Sequence, residues 1–321
     1  MTPKAPDRPA LDRPALDRPA LVAASFDIIA KGSKSFRSAS RLFDPVTRER
    51  AWLLYAWCRA CDDLTDGQAL GHDMKAPTDP KAAHRQIVAL TDQALAGEPT
   101  GVTPFDALGI VARECRIPRL AVTDHLDGFA LDAAGWVPKT TNDLLLYCFH
   151  VAGAVGVMMA LVMGVAPEDK DTLDRASDLG IAFQLANIAR DISADAAEGR
   201  VYLPNDWLDE AGLDLAALAD PANGDRIAPL ADRLVRLSRG YRSSARIGAR
   251  RLPFRSRLAV LAASNVYGAI GTKVVERGPK AWTSRTIVSD PEKLEEFTLA
   301  LVQAIVPARA RERNGLWTRS A

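Results

Sequence analysis

The chain has 321 residues, 48% of them hydrophobic, which is long and apolar enough for a substantial core. Its 41 Lys and Arg against 40 Asp and Glu leave a net charge of +1, so it offers no field for nucleic acid and no nucleic-acid partner is expected. Four cysteines with no apolar leader before them are expected to be thiols of a reducing cytoplasm.

Residues 7–21 repeat Asp-Arg-Pro-Ala-Leu three times. Proline at every fifth position opposes a regular helix, and so short a repeat buries little, so residues 1–22 are expected to form a disordered tail. The remainder, 23–321, is expected to be one all-α domain. It is rich in Ala and Leu, and strand-like alternation never lasts more than a few residues. Asp44-Pro45, Asp79-Pro80, Thr103-Pro104 and Asp290-Pro291 each read as an N-cap followed by proline at the first helical position. Ser33-Lys34-Ser35-Phe36-Arg37 reads as a short basic loop, either a solvated turn or a set of donors for a phosphate oxygen.

Tyr55 to Asp66 packs three carboxylates, an arginine and a tyrosine among apolar residues. Tyr55, Arg59, Asp62 and Asp66 are spaced four, three and four apart and therefore share one helical face. Trp52, Leu53, Leu54, Trp57, Cys61 and Leu64 make the other sides apolar, so the helix is expected to be buried and its carboxylates to need a cation. Cys58 and Cys61 form a C-x-x-C, but without a second such pair or a zinc-type histidine pattern they read as core thiols.

Leu144 to Ala166 is a 23-residue apolar stretch in which only His150 is ionisable. It is long enough to span a bilayer, yet it holds three glycines and has acidic flanks, so it reads as the buried central helix of a bundle. Small residues at Gly153, Gly156 and Ala160 are expected to leave room for an apolar ligand beside it. His150 reads as a core histidine without a role.

A second polar stripe follows. Gln184, Asn187, Asp191 and Asp195 are spaced three, four and four apart, with Phe183, Leu185, Ile188 and Ile192 off that face. One such stripe can be a salt-bridge ladder; two on apolar helices call for paired cations. Carboxylate and amide oxygens without a nearby histidine favour a hard ion such as Mg²⁺ over zinc. Mg²⁺ fills its other positions with water and substrate phosphates, and Arg59 and Arg190 are placed to add charge-assisted hydrogen bonds. A diphosphate so held is a good leaving group, and the carbocation left behind needs an apolar, water-excluding cavity with aromatic faces.

With Ser33-Lys34-Ser35-Phe36, Tyr55 to Asp66, Gln184 to Asp191, Arg200-Val201-Tyr202-Leu203-Pro204 and Asn265-Val266-Tyr267, the chain resembles the squalene and phytoene synthases. These are the head-to-head prenyl transferases, and the likeness spans about residues 24–307. Leu42-Phe43-Asp44-Pro45, His150 to Gly153 and Val157-Met158-Met159 look most like the bacterial phytoene synthases. The resemblance implies an all-α isoprenoid-synthase bundle around a central apolar cavity, with the two stripes facing each other at its mouth. It implies that two molecules of geranylgeranyl diphosphate are joined through a cyclopropylcarbinyl diphosphate to give phytoene for carotenoid biosynthesis. Mg²⁺ is implied as cofactor, with Mn²⁺ as a substitute and no NADPH.

By the same resemblance Asp62, Asp66, Asn187, Asp191 and Asp195 would bind metal. Ser33, Arg59, Arg190, Lys280 and Tyr202 would hold diphosphate. Tyr55 and Tyr267 would act with the carboxylates in catalysis, and Phe36, Tyr147, Val151, Gly156 and Gln184 would line the cavity. Two departures stand out: Ala186 where threonine is common, and Asp132-Ala133-Ala134-Gly135-Trp136 without the usual valine, arginine and tyrosine. The second bears on the cavity or its cover. Two other readings stay open, a farnesyl-using relative with a C30 product and a silent relative acting as an assembly factor, although the latter should have lost stripe residues. Long hydrocarbon substrates place the enzyme at the cytoplasmic membrane surface as a peripheral protein, with a carotenoid desaturase as a downstream partner. Arg309, Arg311, Arg313, Trp317 and Arg319 would suit anionic head groups or be simply solvated.

Overall fold

A computed structural model describes residues 17–66, 79–306 and 308–319, and every regular element among them is helical. The side chains of Lys34, Ser35, Phe36 and Asp66 lie outside what is described, as do the first two copies of the repeat. Helices α1 (Arg18–Gly32), α2 (Lys34–Ser40) and α3 (Pro45–Asp66) are followed by α4 (Pro80–Leu95), α5 (Thr103–Glu114) and α6 (Arg119–Ala133). Next, α7 (Thr141–Cys148) runs through a π-helical turn, Phe149–Gly153, into α8 (Ala154–Val162). The long α9 (Lys170–Ala197) leads to the short α10 (Asn205–Ala211) and α11 (Leu215–Ala219). The chain closes with α12 (Gly224–Gly248), α13 (Phe254–Arg277) and α14 (Asp290–Ile305).

The helix starts follow proline chemistry with small shifts. The backbone amides of Val46 and Thr47 donate to Asp44, and that of Ala82 donates to Asp79, as capping requires. At the other two starts the cap lies one residue earlier: Val102 precedes Thr103, and Ser289 forms a capping box with Glu292.

The expected tail is too long by five residues, because α1 begins inside the third repeat. Pro19 falls in the first turn, where its missing N–H costs nothing, and Leu21 is buried. Arg18 Nη1 donates to Glu49 at 2.7 Å and its Nε also bonds Glu114, which Arg50 Nε meets at 2.8 Å. The expected loop at Ser33–Arg37 is likewise mostly helix: Ser33 ends α1, and α2 starts at the next residue.

The apolar stretch from residue 144 is buried for most of its length, but it is two helices around a π turn. Its glycines do not open space. A β-carbon on Gly156 would lie 2.3 Å from the Ala176 carbonyl oxygen, and one on Gly180 would lie 2.1 Å from that of Ala152. They let α8 and α9 approach backbone to backbone, so the room expected at Gly153 and Gly156 is filled by α9. Both α3 and α9 lean on α8 and do not pack broadly on each other. Two apolar clusters result, one around Trp57, Phe105 and Met158, the other around Ile181, Leu185, Trp207 and Leu234.

The C-terminal segment is a strap, not a solvated tail. Arg313 donates to the buried Asp178, Arg319 to Asp174 and Arg175 to the Arg311 carbonyl, while the Trp317 ring packs on Phe149 of the π turn. Arg313, Trp317 and Arg319 are thereby committed within the chain; Arg309 and Arg311 keep exposed side chains.

Candidate active site

The first stripe belongs to α3, whose outer turns carry partly buried polar residues on an apolar rod. Tyr55 is hydrogen-bonded with Ser33, and burial pushes its pKa up. The α1–α2 junction and α3 are thus brought together at the two positions the resemblance paired with diphosphate and catalysis. Arg59 Nε donates at 2.9 Å to Asp63, the carboxylate just off the expected face. Burial works against the Arg59 charge, and the Asp63 bond with the nearby Asp62 and Asp63 charges more than restores it.

The second stripe is anchored in α9, the longest helix among the described residues. Arg190 Nε donates at 2.8 Å to Asp191, and its Nη2 makes a second short bond to the same carboxylate. Burial, with Asp191 close by, pushes the Asp195 carboxyl up to about 7 against the pull of Arg200, Arg190 and Arg285. Asn187 is hydrogen-bonded with Tyr267 of α13. The Tyr267 ring stacks on Phe183 with centroids 3.9 Å apart. Gln184 is partly buried one turn before Ile188.

A third group joins these residues from the side. Tyr147 is buried and donates to Asp132 at 3.0 Å. Its ring stacks between Trp136 and Tyr202, with centroids at 6.0 and 5.0 Å. Burial first, and then the Asp132 charge, push Tyr147 well above its ordinary range and Tyr202 up to about 12, so both stay protonated donors. Tyr202 shares a small pocket with Ile188, Ile192, Asp195 and Arg200, which places the aromatic ladder against the second stripe.

Other expected residues fall elsewhere. Lys280 is exposed and, among the described residues, makes no ion pair with Asp191 or Asp195; Arg285 reaches Asp191 instead, at 3.4 Å. Gly156 serves the α8–α9 contact, and Val151 packs against Gly128 of α6. Phe36 and Asp66 cannot be placed by side chain, since theirs lie outside the described residues. Arg285, Asp132, Trp136 and Phe183 escape a reading based on helical spacing. Arg285 comes from an irregular stretch with no period, Phe183 lies at the edge of the counted stripe, and Asp132 and Trp136 end α6 as a turn.

Oxygen donors suited to a hard cation are present at Asp62, Asn187, Asp191 and Asp195, and the raised Asp195 carboxyl marks a crowding of negative charge that a cation would relieve. Separately, Asp124 and Asp127 of α6 and His150 of the π turn each bring one ligand atom within 4.8 Å of the others. His150 Nδ1 also meets the Asp124 carbonyl oxygen at 2.7 Å.

Comparison with known proteins gives a consistent result. A sequence profile of the squalene/phytoene synthase family matches residues 29–292. The chain is 46% identical over 296 residues to a 15-cis-phytoene synthase of Enterobacter agglomerans, covering 90% of this chain and 98% of that one. It is 44% identical over 287 residues to a 15-cis-phytoene synthase of Pantoea ananas, covering 89% and 92%. Its fold matches the crystal structure of a dehydrosqualene synthase in complex with ligand, with TM-score 0.78 at 24% identity over 88% of this chain and 96% of the other. With a family profile covering most of its length and the isoprenoid-synthase helical fold around these carboxylates, the chain belongs to the squalene/phytoene synthase family.

Proposed function

We propose that this enzyme joins two molecules of geranylgeranyl diphosphate head to head and releases phytoene and diphosphate for carotenoid biosynthesis, without a reductant. The observation that carries the reading is the likeness to bacterial 15-cis-phytoene synthases along nine tenths of the chain. The polar contacts of the site support it. Asp62, Asp66, Asn187, Asp191 and Asp195 would hold Mg²⁺ or Mn²⁺, which when bound supplies the charge that stabilises a departing diphosphate.

The protein's own groups do the rest. Arg190 and Arg285, both set on Asp191, orient the carboxylate and add positive charge where the diphosphate leaves. Ser33 and Tyr55 present hydroxyls from the α1–α2 side. The stacked Phe183–Tyr267 pair and the Trp136–Tyr147–Tyr202 ladder offer aromatic faces to a developing allylic cation and exclude water from it. Since substrate and product are long hydrocarbons, the enzyme works at the cytoplasmic face of the membrane as a peripheral protein and passes its product to a carotenoid desaturase.

Incubation of the purified protein with geranylgeranyl diphosphate and Mg²⁺, without NADPH, should release diphosphate and a C40 hydrocarbon. A C30 product from farnesyl diphosphate with the C20 substrate ignored would overturn the substrate assignment while leaving the family untouched. Fractionation of cells into membrane and soluble pools tests the location.

A further inference from the structure

Exposed apolar side chains gather on one side of α14. Leu294, Val302 and Ile305 are 66%, 54% and 65% exposed, and Leu301 lies between them on the same arc of the helix. The opposite side, with Ala300 and Ala304, is buried where α14 packs on α13. From Phe297 to Val306 the chain carries no ionisable side chain. An apolar helix face of this kind is a binding surface that needs a cover.

The surrounding charge indicates which cover. Arg257 donates to the carbonyls of Ala304 at 3.0 Å and Arg250 at 2.8 Å, which brings the exposed Arg250 to the C-terminal end of α14. Phe254, also exposed, and Arg255 open the neighbouring α13. Arg309 follows three residues after Val306. The acidic residues of α14, by contrast, all fall between Asp290 and Glu296 at its other end, where Lys273 holds Glu292 at 2.6 Å. The apolar half is therefore rimmed by arginines. A second copy on this face by a two-fold would set arginine rim near arginine rim, whereas anionic lipid would neutralise it.

We propose that the C-terminal half of α14 is a membrane-docking face, with Val302 and Ile305 entering the head-group boundary and Arg250, Arg255 and Arg309 resting on anionic head groups. The inference rests on the reading of the substrates as membrane-borne C20 diphosphates, and it names the surface through which the enzyme would reach them. The C-terminal strap takes no part, because its Arg313 and Arg319 are spent on Asp178 and Asp174.

The test uses the full chain and no substrate, so that its outcome is independent of the product assay. Purified protein is sedimented with vesicles of phosphatidylcholine alone or with added phosphatidylglycerol. Binding is expected to favour the anionic vesicles, and Val302→Ser with Ile305→Ser should lower the partition coefficient by about tenfold or more. The same variant should keep its far-UV circular dichroism and its turnover of detergent-dispersed substrate, since both residues are solvent-facing. Equal partition of the variant and the wild type would overturn the proposal. So would absence of any anionic preference, or a dimer in light scattering that the substitutions dissolve while the wild type ignores vesicles.

Discussion

Arg313 donates Nε and Nη2 to the two oxygens of Asp178, both at 2.7 Å, and Asp178 has no exposed surface. The bidentate pair fixes the C-terminal strap across α9, and it compensates a carboxylate that would otherwise be buried alone.

Removing one partner should therefore cost more than removing both. Arg313→Ala is expected to destabilise the fold by about 3–5 kcal/mol, toward the lower figure if Asp178 takes up a proton. Adding Asp178→Asn to it should recover a large part of that loss. Urea denaturation of the two single variants and the double variant measures the coupling. Equal loss in the double variant would show that the strap is held by Trp317 packing alone.

Two helical glycines should respond with opposite signs. Gly180→Ala places a β-carbon against the Ala152 backbone and is expected to cost about 1–3 kcal/mol, because neither backbone can yield without parting α8 from α9. Gly240→Ala in α12 meets nothing closer than Leu316 at 3.5 Å and should stabilise by about 0.5–1 kcal/mol. Urea midpoints of the two variants decide it.

At the site, Arg285 and Lys280 make a contrast that the sequence motif alone would reverse. Arg285→Met removes a cation 3.4 Å from Asp191 and is expected to lower kcat/KM by about tenfold, in line with a partly solvated charged hydrogen bond. Lys280→Met should stay within about twofold. Asp191→Asn, which touches both Arg190 and Arg285, should lose about 10²–10³-fold in kcat with an unchanged helical spectrum. Near wild-type turnover of that variant at saturating Mg²⁺ would remove the second stripe from the metal site.

The N-terminal helix should be acid-sensitive. Burial works to raise the Glu114 pKa, and hydrogen bonds from Arg18 and Arg50 more than reverse it, so it lies below its ordinary 4.5. The unfolded chain then binds the proton first as pH falls. The stabilisation from this clamp is complete above about pH 4.5 and is lost as pH drops through the lowered value. Glu114→Gln lacks it throughout. The difference in urea midpoint between wild type and Glu114→Gln should be constant at neutral pH and shrink below pH 4.5.

The helical class and the two polar stripes were legible in the sequence because both follow from period. Prolines after Asp44 and Asp79 mark starts by their own geometry, and residues three and four apart share a face whatever packs beside them. What escaped depends on tertiary contact. Gly156 looked like spare room until α9 filled it, and Arg285 has no helical partner that would flag it. The basic tail looked solvated because nothing in Arg313 or Trp317 announces a buried Asp178 or a Phe149 ring to receive them. The third repeat looked disordered because proline spacing was counted without asking which copy meets a helix start.

That last point has a genetic side. The three copies of Asp-Arg-Pro-Ala-Leu are identical, and only the third enters α1. Loss or gain of one copy by slippage in the coding sequence regenerates the same junction at Asp17–Leu21, with Arg18 again before Glu49 and Glu114. The leader is thus free to lengthen or shorten one repeat at a time while selection on the helix start sees no change.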